Sequence, residues 1–308
     1  MISAKAPARP QFVVRGVMFI VAGTFFIAAQ DTVIKVFSEH LSLWQMFVMR
    51  ALLAFPLFIV LGWGFNANKT LLRDAMRPWV LLRSFFIAMT LLLFYAALPF
   101  SQISTLGAVV YLAPIIITVL SSFLINEPVK PTGWVGVALG FAGVLVLLQP
   151  GTDAFSSWTL LPLIGTFLYA SAHIITRVHC QDIPTPAIGF SLNIAMLLLG
   201  VIASIFVAFD PFSDELIKSH PYIFTGWQSL NLSAWLVLLH LAAMMVVIAY
   251  FVAGAYQSAP PSIVATFEYS FLIFAAFWDV FYFETPLTFT AIIGMVMIVG
   301  AGMLVLKR

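Results

Sequence analysis

One carboxylate stands where water should be scarce. Residues 258–281, SAPPSIVATFEYSFLIFAAFWDVF, make an apolar run long enough to cross a bilayer, and Glu268 lies about halfway along it. At about 1.5 Å per helical residue that position is roughly 15 Å from either end of the run. An unpaired charge at such depth costs at least about 2.5 kcal/mol, so Glu268 is expected to face a cavity or a partner rather than lipid. Tyr269 and Ser270 follow it directly, and Pro260, Pro261 and Ser262 interrupt the approach. A midplane carboxylate can bind a cationic group on an organic molecule or carry a proton. The plainer alternative is a Glu that satisfies a neighbouring helix and does nothing more.

Further residues in apolar runs could share that chemistry. Tyr111 and Tyr269 fall near the middle of their runs and offer ring faces and hydroxyls to an organic ligand, a cation included; Tyr95 is a further aromatic candidate. His240 and His173, with Tyr169 one turn before His173, could relay protons or simply hydrogen-bond a neighbouring helix. Asp31 and Arg50 each lie about 10 Å inside adjacent runs and can meet across a short connection. They read as a structural ion pair, shared with Lys35 one turn from Asp31, or as a gate whose partners change.

Composition says what must hold these residues. The chain has 308 residues, 62% apolar and 8% charged, with a mean hydropathy of +1.07, which is the profile of a polytopic membrane protein. The lone cysteine, Cys180, rules out a disulfide within the chain. Motifs for zinc peptidases, serine hydrolases, nucleotide-binding loops and dinucleotide folds are absent, and no cysteine and histidine cluster suggests a metal. The sequence therefore points away from an enzyme and implies no cofactor. Its basic residues form no nucleic-acid stripe.

Hydropathy and breaker residues predict ten spans: 14–37, 43–63, 77–98, 102–126, 132–149, 157–178, 186–209, 232–255, 258–281 and 287–306. The first begins like a signal peptide, with Lys5 and Arg9, but its apolar run continues past twenty residues and reads as an uncleaved span. With the N-terminus on the cytoplasmic side, eleven of the fourteen basic residues fall on inner loops and helix ends, Arg83 and Arg177 among them. Only Lys35 and Lys218 fall outside, and Arg50 lies within a span. Both termini are thus expected in the cytoplasm. Gly136 and Gly140 in the fifth span form a G-x-x-x-G that permits close helix packing, and monomer and homodimer both remain open.

The chain also reads as two copies of one module, 14–150 and 155–307. Sliding it by 158 residues lays Ala97 on Ala255, Ser104 on Ser262, Tyr111 on Tyr269 and Ile115 on Ile273. An odd number of spans per copy inserts the second upside down, a plan that places a site at the midplane between the repeats of secondary transporters.

FYAALPFSQISTLGAVVYLAPI (94–115) with Glu127, AYQSAPPSIVATFEYSFLIFAAF (255–277) with FETP (283–286), and Asp31, Lys35 and Arg50 together resemble the EamA-type transporters of the drug/metabolite transporter superfamily. One departure is Thr266, where many relatives carry Pro, so that Pro260 and Pro261 become the expected source of the bend. The resemblance implies an all-α integral membrane fold of ten helices in two inverted five-helix repeats, in the cell inner membrane. It implies alternating access for a small organic substrate, with protons as a candidate coupling ion. The allowed substrates are amino-acid-like, nucleoside-like or vitamin-like, with a lean toward a zwitterionic or cationic one. Glu268, Tyr269, Tyr111, Tyr95, His240, Tyr169 and His173 are the candidate binding residues, and Asp31, Arg50 and Lys35 the candidate gate. Glu127 and Glu284 read as helix-end elements. A non-transporting receptor or scaffold is the alternative. Arg50→Ala separates scaffold from gate: lost protein on expression marks a scaffold, whereas normal protein without uptake marks a gate.

Overall fold

The structure is a computed structural model that describes residues 12–37, 42–65, 69–97, 103–125, 127–149, 157–209, 212–284, 286 and 288–306. These residues form helices α1 (Val13–Phe37), α2 (Leu43–Gly64), α3 (Leu71–Ala75), α4 (Pro78–Ala97), α5 (Ile103–Val110), α6 (Ala113–Leu124) and α7 (Pro131–Leu148) in the first half of the chain. The second half holds α8 (Leu160–His179), α9 (Thr185–Ala208), α10 (Asp214–Ser219), α11 (Pro221–Phe224), α12 (Leu232–Ser258), α13 (Pro261–Glu268), α14 (Ser270–Phe283) and α15 (Phe289–Leu306). Among the described residues nine helical segments are long and apolar enough to cross a membrane, residues 261–283 counted as one, and Ala113–Leu124 is a shorter apolar helix. The chain is a multi-pass integral membrane protein built of helices.

Two expected spans are broken, each for a local reason. The run predicted over 102–126 divides at Tyr111 and Leu112 into α5 and α6. Pro114 supplies no backbone N–H, and its ring collides with the carbonyl four residues back, so a straight helix cannot pass through it. The chain tightens instead: Tyr111 N–H donates to Gly107 O at 2.9 Å and Leu112 N–H to Val109 O at 3.1 Å. The run predicted over 258–281 begins at Pro261, a residue suited to a first helical position, and α12 accordingly continues to Ser258. Its break falls at Tyr269, beyond the prolines that the sequence suggested for the bend. There the Thr266 hydroxyl donates to Ser262 O at 2.9 Å and the Ser270 hydroxyl to Phe267 O at 2.7 Å. Such hydroxyl bonds to the preceding turn bend helices.

Packing joins the two halves throughout. Helix α1 lies on α12 and on the α13–α14 pair, α4 lies on α8, α2 on α9, and α7 on α15. Helices α10 and α11 occupy the connection between α9 and α12. They are tied to the start of α2 by Trp44 Nε1–H to Ile223 O (2.8 Å) and by a two-way bond between the Gln45 amide and Gln228 (2.8 and 2.9 Å). Helices α7 and α15 approach most closely at glycines. A Cβ on Gly143 would stand 2.8 Å from Gly294 O, and one on Gly294 would stand 2.7 Å from Gly143 O. Gly294→Val is therefore expected to destabilise the fold by about 1 to 3 kcal/mol, the usual range for overpacking. A fall in the detergent-solubilised melting temperature, with Ala at the exposed Gly64 as the neutral control, checks it.

Candidate functional site

A cavity of about 620 Å³ runs through the middle of the bundle, walled by α1, α2, α4, α5, α8, α9 and α12 together with the broken regions around Tyr111 and Glu268. Helix α4 gives its long dimension. Arg83, five residues into that helix, and Tyr95, two residues from its far end, both line the cavity and are separated by about 18 Å of helix.

Glu268 lies at the Arg83 end, at the C-terminus of α13, and is 9% exposed. Its Oε1 accepts hydrogen bonds from Tyr169 Oη and Tyr256 Oη, each at 2.8 Å. The break at Tyr269 ends α13 on this carboxylate, and Phe271 just beyond it lines the same cavity. His173 completes the cluster with no exposed surface. Tyr256 stacks on its ring at 3.9 Å between centroids, and Tyr169 meets it edge-on at 4.3 Å. Neither ring nitrogen of His173 has a hydrogen-bond partner. Arg83, only 2% exposed, donates from Nε to Thr176 Oγ1 at 3.1 Å and leaves Nη1 unpartnered.

The other end holds Asp31, Gln30, Arg50 and Tyr95. The Arg50 guanidinium sits 5.3 Å from the Phe47 ring centre, and Phe47 meets the Tyr95 ring edge-on. Asp31 and Arg50 attract each other across the cavity, but among the described residues they form no ion pair, and Arg50 Nε is unpartnered. The expected structural ion pair is therefore open in this structure. The side chain of Lys35 lies outside the described residues.

The remaining candidates separate. Tyr111, Tyr95, Tyr169 and His173 line the cavity with Glu268, Asp31 and Arg50. Tyr269 does not: it is fully buried behind the wall, its ring against Gly140 and its hydroxyl 3.4 Å from Tyr111 O. His240 is exposed on α12, away from the cavity. Sequence reasoning missed Tyr256 and Arg83. Tyr256 lies twelve residues before Glu268, across the double proline, and that helical hairpin is the one signal that could have brought the two together. Arg83 was grouped with the cytoplasmic charges because it stands near a helix start, and nothing in the local pattern says that it turns inward.

Beneath the Arg83 end the helices are tied shut. Arg177 Nε donates to Glu127 Oε1 at 3.0 Å and its Nη1 to Gln257 O at 3.1 Å. The Gln257 amide in turn donates to Cys180 O at 2.6 Å and Ile183 O at 2.8 Å. Glu127, read as a helix-end element, is thus also an ion-pair partner. Burial pushes the Cys180 thiol up to about 11, so it stays protonated and is no nucleophile at neutral pH. Among the described residues no group of three or more metal-binding side chains exists.

A helical membrane bundle with a polar-ended internal cavity is the class that fold and site define. Residues 14–149, rather less than half of the chain, match the model of the EamA-like transporter family. It is similar to the riboflavin transporter of Vibrio cholerae, with 27% identity over 65% of this chain and 61% of that protein, so the match spans less than two thirds of the relative's length. It is also similar to the S-adenosylmethionine uptake transporter of Rickettsia prowazekii, with 28% identity over 38% of this chain and 39% of that one. A solved crystal structure shares the fold, with a TM-score of 0.73, 17% identity and 96% of each chain covered.

Removing either hydroxyl from Glu268 should be costly, since a buried hydrogen bond to a charged group contributes about 1.5 to 3 kcal/mol. Tyr256→Phe and Tyr169→Phe are each expected to lower the melting temperature. Because both donate to one oxygen, the double variant should depart from the sum of the single ones in a double-mutant cycle.

Proposed function

We propose that this protein is a secondary transporter that moves a small organic metabolite across the cell inner membrane by alternating access, with both termini in the cytoplasm. The observation that carries this reading is the cavity itself: about 620 Å³, walled by helices from both halves and ending at Glu268. That volume lies in the usual range for small-molecule sites. Ten spans in two inverted five-helix repeats, 14–150 and 155–307, would give such a cavity its two routes of access.

The packing supports the repeat. Exchanging the copies maps the α1–α12 contact onto the α8–α4 contact, and maps α2–α9 and α7–α15 each onto itself. The two broken helices fall on the matched residues Tyr111 and Tyr269. The names of the relatives support a substrate of nucleoside-like or vitamin-like size. Glu268 and Asp31 in the cavity favour a zwitterionic or cationic group on it. The tyrosines that hold Glu268 make it the residue whose occupancy, by substrate or by a proton, would report to the neighbouring helices.

Flux in proteoliposomes tests the reading with two probes, riboflavin and S-adenosylmethionine. At least one is expected to cross faster than in empty liposomes. Glu268→Gln is expected to abolish accumulation driven by a pH gradient while exchange of substrate for substrate survives. Binding of either probe with no flux under any gradient would replace the transporter with a receptor, and unchanged accumulation in Glu268→Gln would remove the proton from the mechanism.

A further inference from the structure

Arg83 is a buried cation, 2% exposed, in the wall of the cavity. Among the described residues no carboxylate forms an ion pair with it. The ionisable groups that act on it most are Cys180, whose thiol keeps its proton, and Tyr169, whose proton is committed to Glu268. Burying a charge away from water without a counter-charge is strongly unfavourable, and proteins that do so ordinarily surround it with acceptors. Here one acceptor, Thr176 Oγ1, serves Nε, while Nη1 is free.

The second unpartnered group stands close by. His173 acts electrostatically with Arg83, faces the same cavity and has both ring nitrogens idle. It cannot turn to find a partner without leaving the two tyrosine rings that grip it. A neutral imidazole carries one N–H, so the pair holds at least two unpartnered donors in the wall at one end of the cavity, both enclosed among side chains. Arg50 at the other end differs, because Asp31 lies near enough to attract it.

We infer that Arg83 and His173 form a subsite for an oxyanionic group of the transported molecule, of the carboxylate class, received by the free Nη1 of Arg83 and a ring N–H of His173. Planar donors of a guanidinium match the two oxygens of such a group. The inference rests on the cavity being the substrate chamber and narrows the substrate. Simple organic cations would leave Arg83 unpaired, whereas a zwitterion meets Arg83 with its anionic end and a carboxylate of the cavity with its cationic end.

The test is binding to the purified full chain in detergent, which requires no flux and so can fail or succeed independently of the transport reading. Sodium benzoate, benzylammonium chloride and benzyl alcohol are compared as probes by thermal shift, with sodium chloride holding ionic strength constant. Benzoate is expected to raise the melting temperature with concentration, and the other two are expected to do so far less. In Arg83→Met the apparent dissociation constant for benzoate should weaken by about 10- to 100-fold, as loss of a charge-assisted hydrogen bond implies, while Arg83→Lys retains part of the affinity. If Arg83→Met fails to fold, the wild-type comparison and Arg83→Lys decide. Benzoate acting no better than benzyl alcohol, or equally on Arg83→Met, overturns the subsite. Phosphate or chloride alone matching benzoate overturns its assignment to the substrate and makes it a site for a free anion.

Discussion

Burying a carboxylate inside a membrane-spanning bundle is the constraint on which the rest of this structure depends. Lipid offers no partners, so the hydrogen bonds must come from other helices. Tyr169 on α8 and Tyr256 on α12 meet on one oxygen of Glu268, which binds three helices from the second half of the chain at a single atom. The geometry around it follows. Helix α13 must end where the carboxylate can be reached, Pro261 must let the chain reverse after α12, and His173 fills the space between the two donor rings.

Polar groups elsewhere in the bundle divide into those that are spent and those that are idle. Arg177, Gln257 and Thr90 have their bonding capacity used in joining helix ends or helix faces. Arg83, His173 and Arg50 face the cavity with donors or acceptors unused. Unpartnered atoms lie elsewhere too, on Ser42, Ser121, Thr185 and Asn193, but the cationic ones among the described residues, on Arg50 and Arg83, are in the cavity wall. A cavity walled in part by such cations differs from the empty cavities of proteins, which are ordinarily apolar.

Much of this was legible in the sequence and some was not. Expected span positions agree with the helices to within a few residues because bilayer thickness fixes the length of apolar run that is needed. The breaks were less visible. Pro114 marks one openly, but the other depends on the hydroxyls of Thr266 and Ser270, which an apolar-run reading treats as neutral. Glu268, Asp31 and Arg50 stood out because a charge in an apolar run is rare, and all three line the cavity. Tyr269 stands out by its depth, its place beside Glu268 and its match to Tyr111, and His240 by its depth and its chemistry, and none of these says which way a residue faces around a helix. One faces Gly140, the other the outside of the bundle. Arg83 shows the converse error: near a helix end a charge reads as solvated, and only tertiary packing reveals that it is enclosed.

The contact between Gly143 and Gly294 bears on how closely the helices of such a molecule can lie. There main chain rests on main chain, with no rotamer between them to absorb a displacement. A side chain on either glycine would meet the other's carbonyl oxygen, so the separation of α7 and α15 is fixed by the absence of Cβ atoms at these two positions. Backbone also comes close at other pairs that join the halves, at Gly16 of α1 against Ala255 O of α12 and at Gly165 of α8 against Thr90 O of α4, so glycine sets the spacing of helices across the whole bundle.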